Sequence, residues 1–181
     1  MKILIYDLET SSLCTKTGYI TELGFILIED DKVIASRSIL LKIPVNLSSK
    51  ITQLTGITDS MLADKKPFEA FAPYIKKLFE SCDEIIGHNI IGFDNKILMS
   101  SFERAGVNVR LPNSFDTMTH YKSWFGKHPT LNELHQQFCG ENIINAHRAI
   151  NDCKAVYEIL KADGYFREPV DTRMEEFLFE D

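Results

Sequence analysis

A mixed α/β sheet with helices against its faces is the fold class this sequence predicts. Three observations lead there. β-Favouring apolar runs come first, helical periodicities then alternate with short strand-like runs, and two early runs are joined by a turn short enough for an antiparallel hairpin.

Residues 2–8 read as a buried strand, and Tyr19 to Glu29 form a second apolar run. Asp30-Asp31-Lys32 is a turn, and residues 33–43 make a third strand that completes the hairpin. Residues 48–64 are short helical pieces broken at Gly56. Pro67 opens a helix with Phe68, Phe71, Ile75 and Leu78 at helical spacing, and Pro73 should kink it or shift its start. A strand over 83–87 precedes a helix over 92–105, which Gly106 ends. A last strand is expected over 113–118, with helices over 117–125, 129–138 and 148–162. Gly164 closes the regular pattern. The organisation expected is one domain over 1–163 and a short acidic tail over 164–181.

The composition, 44% hydrophobic and 25% charged over 181 residues, excludes collagen, coiled coil and disorder. A net charge of −6 is not the footprint of a protein that holds nucleic acid by charge alone. A nuclease stays open, because metal-binding carboxylates count as negative until the cation arrives. Cys14, Cys82, Cys139 and Cys153 form no C-x-x-C pair and read as reduced thiols. The apolar N-terminal run is too short for a signal peptide, and no stretch approaches the roughly 20 apolar residues of a membrane span. The expectation is a soluble, cytoplasmic protein with no membrane partner.

The chemistry sits in carboxylates. Asp7 and Glu9 share a face of the first strand and leave together from its C-terminal end, where open α/β sheets place ligands. Side by side they repel, and a shared proton, an Arg or Lys, or a cation must offset this. Asp94 lies on the inward side of its helix with Ile97 and Leu98, a place a first-turn acid also takes for the dipole. Asp152 stands between Ala149 and Val156 on an apolar side, in what reads as mid-helix without a capping role. His147, five residues before Asp152, cannot share its helical face and belongs to the approach loop, from which it would swing over the site as a general base. Oxygen ligands without a Cys-His cluster favour Mg²⁺ or Mn²⁺ over Zn²⁺. Two such ions can clamp both oxygens of a phosphoryl displacement.

Asp7-Leu8-Glu9-Thr10 resembles D-x-E-T, the first motif of the DEDDh 3′–5′ exonucleases, a family that includes the proofreading epsilon subunits of bacterial replicative polymerases. His88-Asn89-Ile90-Ile91-Gly92-Phe93-Asp94 resembles the second motif, and His147 with Asp152 the third, H-x-x-x-x-D. Leu54-Thr55-Gly56-Ile57-Thr58 is similar to the H-G-I-T stretch between them, with Thr55 at the His position, which would touch the substrate edge. Ser11-Ser12 stands where many members have T-G. The likeness runs over residues 1–162 in the family's order.

The resemblance implies an RNase H-like fold with a five-stranded mixed sheet. It implies removal of nucleoside 5′-monophosphates from the 3′ end of single-stranded DNA or RNA, DNA being the more favoured of the two, by two Mg²⁺ or Mn²⁺ ions. Asp7, Glu9 and Asp152 would bind the ion on the nucleophile side, and Asp7 would bridge to a second ion near Asp94. His147 would deprotonate the attacking water, and Thr10 and Phe93 would hold the 3′ end. The implied partners are the 3′ end of single-stranded DNA or RNA and a DNA polymerase or sliding clamp. Glu176-Phe177-Leu178-Phe179 faintly resembles a clamp-binding peptide that lacks its usual Gln. The competing classes are a non-catalytic nucleic-acid-binding or polymerase-associated scaffold module and a small-molecule phosphatase or transferase.

Overall fold

A computed structural model describes residues 1–166. The sequence-expected tail beyond them, including 176–179, lies outside the described residues. Strands β1 (Lys2–Thr10), β2 (Ile20–Glu29) and β3 (Lys32–Leu40) form an antiparallel meander. Asp30 and Asp31, both at positive φ, make the tight turn between the last two. The chain then crosses through helices α1 (Ser49–Thr55), α2 (Asp59–Leu62) and α3 (Phe68–Glu80) to β4 (Glu84–Gly87), which lies parallel to β1. Helix α4 (Asp94–Arg104) leads to β5 (Asn113–Asp116), parallel to β4. Four helices follow: α5 (Thr117–His120), α6 (Lys122–Phe125), α7 (Leu131–Cys139) and α8 (Ala149–Ala162). The sheet order is β3-β2-β1-β4-β5, the five-stranded mixed sheet that the resemblance implies.

Side-chain alternation divides the core into two layers. Leu4, Tyr6 and Leu8 pack with α3 and α4 through Ile75, Phe79, Leu98 and Phe102. Ile3 and Ile5 pack with α8 through Cys153, Val156 and Leu160. Both faces of β1 are therefore covered, which is why its sequence is a continuous apolar run.

Three local expectations change. Helix α3 starts directly after Pro67 and runs through Pro73, so its start is not shifted. Pro73 and Glu69 are exposed, and water can satisfy the Glu69 carbonyl that the missing N–H leaves. The helix expected over 117–125 is two short pieces that break at Tyr121, whose ring is wholly buried and whose hydroxyl donates to Asp163 at 2.7 Å. Tyr165 and Phe166, expected in the tail, pack against the sheet layer under α8.

Candidate active site

β1 runs two residues further than its apolar run suggested, and those residues are Glu9 and Thr10. Asp7 and Glu9 leave the face that α8 covers. The ladder to β4 ends at Ile5–Ile86, and the Leu8 N–H donates instead to Asp94 Oδ1 at 3.1 Å. Asp94 is the first residue of α4, on the other layer, and only 4% exposed. The acids thus meet at the C-terminal end of β1, with one layer of the fold on each side.

Asp152 lies in the first turn of α8 rather than in mid-helix. Its Oδ2 accepts the His147 N–H at 3.2 Å, a bond that closes the helix entry and gives Asp152 the capping role that the mid-helix reading excludes. Its Oδ1 is buried without a hydrogen-bond partner. His147 sits in the approach loop, exposed, at φ +66°, a left-handed backbone that costs about 1–3 kcal/mol and persists only where the surrounding structure imposes it. Ligand atoms of Glu9, His147 and Asp152 all lie within 4.8 Å of one another. Asp7, half-buried, joins them electrostatically.

Burial is the main reason these carboxyls are hard to ionise, and their mutual repulsion adds to it. Glu9 is pushed from an ordinary 4.5 to about 8 by burial, then by Asp152, Glu22 and Asp94, with Arg148 opposing. Asp94 is pushed up to about 8, by burial first. Asp152 rises to about 6, again by burial, with the nearby His147 restraining it. Asp7 rises well above the carboxylate range through burial, then Asp94, Asp152 and Glu9. Hard oxygen donors, an orphaned Asp152 Oδ1 and uncompensated acid are what a divalent cation would resolve, so the residues present fit one.

The other expected site residues fall beside the cluster. Thr10 is buried, and its hydroxyl donates to the Ser12 carbonyl at 3.0 Å. Ser11 and Ser12 accept the Tyr19 and Cys14 N–H groups, so this loop is closed by hydroxyls instead of a glycine turn. Phe93 is half-buried and immediately precedes Asp94. Thr55 corrects its expectation: it is buried, donates to Ile51 O and accepts the Ile57 N–H, so its hydroxyl closes α1 instead of facing a substrate.

Four residues that shape the site went unseen in the sequence. Glu22, fully buried, accepts Arg148 Nε and Nη2 at 3.0 Å each, the Ala149 N–H at 3.2 Å and the Ser38 hydroxyl. Arg148, next to His147, is therefore near the acids but engaged by Glu22. Gly24 pairs with Asp7 across the ladder, and a Cβ there would stand 2.4 Å from the Ala149 carbonyl carbon, so its bareness lets α8 begin directly over the sheet. Asp116, at the end of β5, accepts the N–H groups of Asn89 and Ile91 and fixes the loop before Asp94. An Asp ending a strand and a Gly inside one were the available signals; the Glu22–Arg148 pairing spans 126 residues and left no local mark.

A model of the exonuclease family (RNase_T) matches residues 4–160. The PolC-type DNA polymerase III of Clostridium perfringens is 30% identical over 163 residues, covering 87% of this chain and 11% of the relative. The 3′-5′ exonuclease DinG of Staphylococcus saprophyticus is 27% identical over 172 residues, 93% of this chain and 19% of the relative. The chain thus spans less than a fifth of these curated relatives. Among solved structures, exonuclease I superposes with a TM-score of 0.79 at 20% identity, over 92% of this chain and 41% of that one. Exonuclease X, in complex with 5′-overhanging duplex DNA, gives 0.66 at 22% identity, over 89% of both chains. These likenesses carry the RNase H-like exonuclease fold. All three segments that bring carboxylates to the end of β1 lie inside the matched span, and the chain belongs to the exonuclease family.

Proposed function

We propose that the chain is a metal-dependent 3′–5′ exonuclease that trims single-stranded nucleic acid, DNA in preference to RNA, to nucleoside 5′-monophosphates. The observation that supports this most is the buried acid cluster with its orphaned Asp152 Oδ1 beside an exposed histidine. Asp7, Glu9, Asp94 and Asp152 would hold two Mg²⁺ or Mn²⁺ ions, which stabilise the attacking and leaving oxygens of phosphodiester hydrolysis. His147, on the solvent side of the cluster, accepts the proton of the attacking water. Thr10 and Phe93 flank the cluster and would receive the terminal nucleotide. Family relatives include polymerases, so a polymerase-bound role belongs to this reading, as does a sliding-clamp contact. No helix among the described residues is long and apolar enough to cross a membrane, and the four unpaired cysteines suit the reducing cytoplasm we assign to it.

The test is a time course on 5′-labelled and 3′-labelled DNA and RNA strands with Mg²⁺, Mn²⁺ or EDTA. A ladder from the 3′ end that a 3′ block stops, and that EDTA abolishes, is expected. Cleavage of a circular strand, or undiminished activity in EDTA, would overturn it.

A further inference from the structure

The segment from Thr117 to Asn132 carries Lys122, Lys127, His120 and His128 and no acidic residue, on a chain whose net charge is −6. It comprises α5, α6, the following loop and the first two residues of α7. Lys122, Ser123, Trp124, Lys127 and His128 are exposed. Trp124 is 64% exposed, yet its ring is held: Tyr121 meets it edge-on at 5.4 Å and Phe138 lies tilted at 5.6 Å. The acids around it are engaged, Glu133 by Lys127 at 2.5 Å and Asp163 by the Tyr121 hydroxyl. Lys122 makes no ion pair among the described residues.

The face adjoins both arms of the acid site. His88, in the loop that leads to Asp94, contacts the Thr117 hydroxyl at 3.0 Å and the Pro129 backbone. Asn132, at the start of α7, bonds Asn142 and the Ile143 N–H, in the loop that leads to His147. An exposed aromatic ring supported from behind, in a segment that also carries the unpaired Lys122, fits an unpaired base with its phosphates, because a base face is free to stack only when its strand is single.

We propose that Trp124, in the segment that carries Lys122, is a stacking platform for a base upstream of the 3′ end of a single-stranded nucleic acid. This rests on the exonuclease reading of the acid cluster, which binds the end itself. The platform would make substrate length matter: a dinucleotide occupies the cluster alone, and a longer strand gains the stack.

Trp124 is the only tryptophan of the chain, so its emission reports on this face alone. The whole chain in EDTA is titrated with an oligothymidylate of about 12 nucleotides, within the span of single-strand grooves, and with a dinucleotide. Binding is followed in parallel by anisotropy of a labelled strand. The long strand should quench the emission, and the dinucleotide should not. In Mg²⁺, Trp124→Ala should raise KM for the long strand about tenfold and leave the dinucleotide unchanged, while Trp124→Phe, which keeps a stacking ring, should stay near wild type. Trimming and binding of the long strand with unchanged emission would overturn the platform alone. Equal losses on both substrates would do the same. Absence of both binding and trimming would overturn the exonuclease reading together with it. A blue shift that grows with protein concentration, without nucleic acid, would give the face to a second copy of the chain and overturn the proposal.

Discussion

Glu9 and Glu22 face each other on one rung of the β1–β2 ladder, and both are buried. Glu22 sits among its own donors. Burial pushes its carboxyl up, but hydrogen bonds from Arg148 and Ser38, the Arg148 charge and the Ala149 N–H outweigh that and hold it below its ordinary value. Glu9 faces other acids and is pushed up to about 8. The same residue type at matching depth is thus a finished structural pair on one strand and an unbalanced charge on the next. A buried charge that the protein itself neutralises belongs to the scaffold; one left unneutralised awaits something from outside.

The sharpest way to break this contrast is at the centre of the unbalanced side. Asp7→Asn removes one charge at nearly constant volume. Trimming activity should fall by about 10³-fold or more, since a lost barrier contribution of roughly 4 kcal/mol has that size. The same variant should melt above wild type in EDTA and gain less from added Mn²⁺. A variant less stable than wild type in EDTA would mean that Asp7 already has a structural partner.

Next in size is His147. His147→Ala should lower kcat by roughly 10²–10⁴ and leave the Mn²⁺-induced rise in Tm intact. Because His147 stands within 4.8 Å of Glu9 and Asp152, a loss of that rise would assign it to the cation instead of the proton.

On the balanced side the effect should fall on stability. Glu22→Gln weakens charge-assisted bonds to Arg148, whose side chain is 37% exposed, so solvent absorbs part of the loss. We expect about 2 kcal/mol of destabilisation by denaturant titration, with Mn²⁺ stabilisation retained. If Glu22→Gln instead raised Tm in EDTA, Glu22 would belong with the unbalanced acids.

The contrast also marks what the sequence could disclose. Asp7, Glu9, Asp94 and Asp152 are legible because strand and helix periodicity assign each to an inward face, and the first four strands because their apolar runs are bounded by turns; β5, with Phe115 as its one apolar residue, gives a weaker signal. Glu22 was invisible as a partner because it lies inside a continuous apolar run, and its Arg148 comes from a helix entry 126 residues away. The start of α8 is legible, residue 148 expected against Ala149 observed, but periodicity alone does not show that Asp152, still in the first turn, reaches back to the His147 N–H in the preceding loop. Thr55 was misjudged because a hydroxyl that closes a helix and one that meets a ligand look alike in a motif.

The smallest expected effect is a slope. In EDTA the carboxyls of Glu9, Asp94 and Asp152 have folded pKa values raised to about 8, 8 and 6 from ordinary values of 4.5, 3.8 and 3.8. A raised carboxyl favours the folded state while it keeps its proton, so this contribution is complete below about pH 4 and is lost as pH climbs towards 8. Glu22, with a lowered pKa, behaves oppositely: its contribution is present above its ordinary 4.5 and fades only in more acid solution. Two histidines are shifted in opposing senses. His88, held down by burial, costs stability as pH falls through 6.5. His135 is held above its ordinary value: burial lowers it, but bonds to Glu158 and the Glu141 carbonyl prevail, so its contribution fades as pH rises. The discriminating quantity is therefore the difference in Tm between Asp7→Asn and wild type, in which both histidines cancel. Removing Asp7 matters little when the cluster is protonated and most when it is charged. That difference should widen steadily from pH 5 to pH 8 in EDTA and shrink or change sign in saturating Mn²⁺, where the charges have a counter-ion. A difference that stays flat across the window would mean that the acids at the end of β1 do not share one electrostatic site.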